Sequence, residues 1–76
     1  MGRHRTLLSV LRYYIESTPW SLSKSGGWVA GTPAPLHAVK LFADKEEANR
    51  YLIQKMLRTS DETMLNAKVV EKWVEL

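Results

Sequence analysis

One amphipathic stretch, Asp44 to Arg58, governs what this chain can fold into, because a helix with a single apolar stripe needs a surface to lie on. Asp44 is a favoured N-cap, and Glu47 three residues later completes an Asp-x-x-Glu variant of the capping box. Glu46 and Glu47 fall in the first turn and Lys55 and Arg58 near the last, which suits the helix macrodipole. Ala48, Tyr51, Leu52 and Met56 recur at helical spacing with Leu57 beside them, while Arg50, Gln54, Lys55 and Arg58 occupy much of the remaining surface.

The segments around this helix read as strands. Leu36 to Phe42 is short and apolar, follows a Pro33/Pro35 loop and runs straight into the cap. Trp28-Val29-Ala30 is punctuated by Gly26-Gly27 and Gly31, and Trp20-Ser21-Leu22-Ser23 alternates before Lys24-Ser25-Gly26-Gly27, a hairpin loop. In the last eight residues Val70, Val74 and Leu76 share one face, interrupted by Lys72, and Val69 and Trp73 share the other. Two segments fit either period. Leu7, Leu8, Leu11, Tyr14 and Ile15 make a helical stripe, yet Leu11, Tyr13 and Ile15 make a strand face; Leu65, Val69, Trp73 and Leu76 could equally stripe a helix capped by Ser60 or Asp61. A sheet stable enough to carry a helix needs three or more strands, which favours strands in both. The expected fold is α+β: an antiparallel sheet of about four strands with one helix across one face, spanning residues 10–76 after a basic arm at 1–9.

Composition narrows the class. With 76 residues, 45% of them hydrophobic, the chain has material for one modest core, and the absence of cysteine excludes disulfides, iron–sulfur clusters and thiolate zinc sites. No apolar run has membrane-spanning length and no signal-peptide region follows the N-terminus, so a soluble, cytoplasmic chain is expected. The net charge of +3 is uneven: residues 1–42 hold five bases against Glu16, and residues 43–76 hold six bases against seven acids. Such an excess keeps a small domain soluble and can also attract nucleic acid or an acidic protein surface.

Catalytic chemistry finds little purchase. His4 and His37 are the two histidines, and neither sits at metal-ligand spacing from the other or within a nucleophile motif. Glu46 and Glu47 are adjacent on a helix, so they do not face one another as an acid/base pair. Gly26-Gly27 lacks the spacing of a phosphate loop and precedes a strand. A non-enzymatic protein with no metal or cofactor is expected.

The aromatics are the remaining handle. Three tryptophans and three tyrosines are many for so short a chain, and most must close the core. Adjacent strand residues point to opposite faces, so if Tyr13 packs under the helix with Leu11 and Ile15, Tyr14 faces outward beside Arg12 and Glu16. One helix leaves the other sheet face open, and recognition is expected there or through the arm. The candidate partner-binding residues are Arg3, Arg5, Arg12, Tyr14, Trp20 and Lys24.

The succession Arg12-Tyr13-Tyr14-Ile15-Glu16, Trp20-Ser21-Leu22, Gly26-Gly27-Trp28-Val29, Ala38-Val39-Lys40-Leu41-Phe42 and Lys45-Glu46-Glu47-Ala48 resembles small proteins encoded by phages and mobile elements, over roughly residues 10–76. Some of those proteins block host enzymes or defence systems, anti-CRISPR proteins among them. The resemblance implies an accessory protein that binds a host or defence protein, as an inhibitor of a host or defence enzyme would. The charge pattern keeps nucleic-acid binding as the alternative, with Arg3, Arg5, Arg12 and Lys24 on phosphates and Tyr14 or Trp20 stacking on bases. A homodimer that pairs open faces or edges is a third reading.

Overall fold

The structure is a computed structural model, and it describes residues 8–32, 34–58 and 66–75. Strand β1 (Ser9–Ser17) forms a hairpin with β2 (Trp20–Leu22), which pairs with β3 (Trp28–Ala30); helix α1 (Lys45–Arg58) and strand β4 (Lys68–Glu75) follow. The sheet is antiparallel in the order β3-β2-β1-β4, so the helix lies on a four-stranded sheet as expected. Both segments that fitted two periods are strands where described; residues 59–65, which include the proposed caps Ser60 and Asp61, lie outside the described residues. So do residues 1–7, most of the expected arm, and β1 begins at Ser9, inside the bounds expected for it.

The long pairing is between β1 and β4, eight residues in register from Ser9↔Glu75 to Glu16↔Lys68. On its other side β1 pairs with β2 only at Glu16 and Ser17, across the two-residue turn Thr18–Pro19, whose peptide bond is cis. The β2–β3 connection uses Gly26 at φ 96°, a left-handed conformation that favours glycine, and Ser23 closes it by accepting the Gly27 amide on its Oγ at 3.0 Å.

The segment Leu36 to Phe42 is not the continuous strand its composition suggests. Leu36–Ala38 form a turn, and only Val39 and Phe42 make isolated bridges, to Ser23 and Tyr13. The physical reason is the shortness of β2. Past Leu22 the edge of β1 is vacant, and this segment fills it: Tyr13 and Phe42 exchange both backbone bonds, at 2.9 and 2.8 Å, while Lys40 donates to the Leu22 carbonyl and Lys24 to that of Ala38. A chain shared between two neighbours in this way cannot keep one ladder.

Packing follows the two strand faces. On one, Ile15, Leu22, Phe42, Ala48 and Leu52 form the core under α1, with Tyr13, Trp28, Tyr51, Ala67 and Val69 around it. The expected helical stripe is narrower than its spacing suggests: Ala48 and Leu52 are buried, whereas Met56 is exposed and Leu57 is 82% exposed. Asp44 caps the helix as expected, accepting the Glu46 amide on Oδ1 at 2.8 Å, although Glu47 does not return the second bond of a capping box.

The other face is the main departure from expectation. It is not open at Tyr14, which is 4% exposed and packs with Ala34 and Val39 in a second cluster that Val29, Leu41 and Val70 complete. Residues from the β3–α1 connection cover it. Ser21, on this face, donates from Oγ to the Gly31 carbonyl at 2.7 Å and accepts the Ala34 amide at 3.4 Å, so the connection is tied down across the sheet. Tyr14 therefore falls out of the expected binding set. Its hydroxyl donates to Glu16 Oε1 at 3.0 Å, and the other carboxylate oxygen lies 3.8 Å from Lys68 Nζ.

Asp44→Ala is expected to cost about 0.5–2 kcal/mol in denaturant unfolding through loss of the cap. Tyr14→Ala is expected to cost about 3–5 kcal/mol, as for a large buried aromatic, against well under 1 kcal/mol were it exposed. Burial, then the hydrogen bond to Glu16 and its charge, push the Tyr14 phenol up from 10.0 to about 12. Because the folded chain holds this proton more tightly than the unfolded one, the stabilisation is full below pH 10 and is lost as pH rises toward 12. A tyrosine absorbance titration should show this late phase, absent in Tyr14→Phe.

Candidate recognition surface

The sheet positions a surface that neither core covers. The cluster under the helix ends at Tyr13 and Val69, and the cluster on the opposite face ends at Tyr14 and Val70. Beyond them β1 and β4 run on together through four further pairs: Arg12↔Lys72, Leu11↔Trp73, Val10↔Val74 and Ser9↔Glu75. β4 is an edge strand, and β1 has no pairing on its other side over Ser9–Arg12 among the described residues.

Strand alternation sorts this end into two chemically distinct faces. On the helix side lie Leu11 and Trp73, directly opposite one another, with Glu71 and Glu75. Trp73 is 66% exposed. On the reverse lie Val10 and Val74, with Arg12 and Lys72 directly opposite one another. Among the described residues the Arg12 guanidinium bonds only to the neighbouring Leu11 carbonyl, at 3.0 Å, and it is half-buried like Lys72. Acid and base are thus segregated by face.

The six residues singled out from the sequence do not form one site. Arg3 and Arg5 lie outside the described residues. Arg12 is at the ribbon end, Trp20 is 41% exposed where the β1–β2 turn closes, Lys24 is exposed on the β2–β3 turn, and Tyr14 is inside the fold. Trp73 and Lys72 were missed as a site. The signal was present in Val69-Val70-Glu71-Lys72-Trp73-Val74-Glu75, but their prominence depends on where the core stops.

Other features offer less. A cavity of about 210 Å³ is lined by Tyr51, Gln54, Lys55 and Arg58, on one side of α1, and is smaller than the roughly 300 Å³ at which small-molecule pockets begin. Lys55 and Arg58 are already accounted for by the helix C-terminus. Lys40 Nζ sits 5.4 Å from the centroids of both Phe42 and Tyr51, a cation–π contact that closes the core edge. His37 is exposed on the turn, and no group of three or more metal-ligating side chains occurs among the described residues. No described helix is long and apolar enough to cross a membrane.

Because Trp73 lies outside both clusters, Trp73→Ala is expected to change unfolding free energy by less than about 1 kcal/mol. A loss of 3 kcal/mol or more would place the indole in a packed interior. Comparison with known proteins adds no relative: no family model, no curated protein and no solved structure matches this chain.

Proposed function

We propose that this chain is a non-enzymatic binding protein that engages a protein partner through the helix-side face of the β1–β4 end. The observation that carries this reading is Trp73, two-thirds exposed on a strand held by eight backbone-paired positions. A tryptophan on a rigid strand presents a large apolar area with little side-chain entropy to lose, and such residues dominate binding energy at protein interfaces. Leu11 opposite it widens the apolar area, and Glu71 and Glu75 supply a polar rim. The strongly shifted ionisable group, Tyr14, is engaged with Glu16 inside the fold, which fits a structural role. The resemblance to phage and mobile-element proteins suggests a host or defence enzyme as the partner, met in the host cytoplasm.

Affinity capture on immobilised wild-type chain and Trp73→Ala, from nuclease-treated bacterial lysate, tests this. A partner held by the wild type should lose about 2 kcal/mol or more of binding free energy with Trp73→Ala, the size of a hot spot. Equal retention by both chains would move the interface elsewhere. Sedimentation equilibrium over a range of concentrations covers the remaining occupant: a dimer that Trp73→Ala dissociates would assign the face to a second copy of the chain.

A further inference from the structure

The reverse face of the same ribbon end carries a feature that folding does not require. Arg12 and Lys72 are directly opposite across β1 and β4, and like charges in that position destabilise a sheet. An acid at either position would make a favourable pair and would guard the strand edge equally well. Among the described residues no counter-ion relieves them. Lys72 has no hydrogen bond or ion pair among the described residues, and Arg12 bonds only to the adjacent Leu11 carbonyl. Glu71 and Glu75 sit on the other face, and Glu16 is held by Tyr14 and Lys68.

We propose that Arg12 and Lys72 form a phosphate-binding contact through which this chain seats nucleic acid. The pair offers what a phosphodiester accepts: a guanidinium fork able to bond two oxygens, beside a compact ammonium charge. Lys68, on the same face of β4 about 14 Å away at the strand rise, is paired with Glu16 beyond the covered Tyr14–Val70 pair, so the contact is confined to Arg12 and Lys72. Two directly opposed cations on a two-stranded ribbon that neither apolar cluster reaches can follow the regular phosphates of a linear polyanion. The major groove of B-form DNA admits an element of this width. This contact is independent of the protein-binding reading, because the two faces of the ribbon point in opposite directions. It also differs from the set expected from the sequence: Tyr14 is buried, and Lys24 lies on the distant β2–β3 turn.

The test is fluorescence anisotropy with a labelled random-sequence DNA duplex and the matching single strand, over a salt series. The wild type should bind at low salt, with an affinity that falls as salt rises. In the double variant Arg12→Gln/Lys72→Gln the salt slope should drop by about 2, roughly one for each phosphate contact removed. Lys24→Gln and Trp73→Ala should leave that slope unchanged. The double variant should melt at the same temperature as the wild type or higher, since it removes a repulsion, so lost binding cannot be ascribed to unfolding. The proposal fails if the wild type does not bind at low salt, or if the double variant keeps the full slope. It fails also if Lys24→Gln loses as much, which would mean diffuse attraction by net charge. Displacement of the duplex by polyglutamate as readily as by unlabelled DNA would overturn it in favour of an acidic protein surface.

Discussion

Tyr14 and Ile15 are neighbours in β1 and point in opposite directions, and each anchors one of the two apolar clusters. The backbone of β1 is therefore the shared wall of both cores. It is held on one side by eight paired positions of β4 and on the other by β2 and Phe42. A shift of one residue in its register would exchange the two faces and put Tyr14 under the helix and Ile15 against the β3–α1 connection. Everything else in the fold is arranged on this strand.

The second cluster explains how so small a chain covers both faces of a sheet. A helix is the economical cover for one side, with Ala48 fully buried and allowing close approach. The other side receives irregular chain, which must find partners for its own polar groups. Ser21 supplies them, bonding both the Gly31 carbonyl and the Ala34 amide, while Lys24, Leu22, Tyr13 and their backbone partners hold residues 38–42. The Tyr14–Glu16–Lys68 chain sits in the same layer and satisfies a carboxylate that would otherwise be costly to bury. Polar contacts here fix where the apolar cover lies.

Both covers end before the sheet does. The β1–β4 end extends past them with an aromatic, acid-rimmed face and a basic face, the two separated by the thickness of a pleated ribbon. Energetically this end contributes little to the core, and it holds a repulsive pair that the interior would not tolerate. Its backbone is instead continuous with the strand that both cores clamp. That combination, a stable base with chemically distinct free faces, suits recognition and places no demand for a pocket on a domain too small to wall one.

The single amphipathic helix, its Asp44 cap, the β2–β3 hairpin and the α+β class were legible in the sequence because each rests on local chemistry: helical spacing, a capping carboxylate, glycine turns and the need for a sheet beneath one helix. Alternation also placed Tyr13 and Tyr14 on opposite faces correctly. What alternation could not tell was whether the far face meets water. That was decided by the shortness of β2, which left room for Leu36–Phe42 to wedge between strands, and by Ser21, which ties the connection across Tyr14. The proposed recognition surface was hidden for the same reason. Lys72 and Trp73 read as an ordinary strand in sequence; only the pairing of distant residues set Lys72 against Arg12 and Trp73 against Leu11, and only the limits of the two cores left them outside both clusters. Local sequence specifies which face a side chain takes, whereas long-range packing decides what, if anything, lies against it.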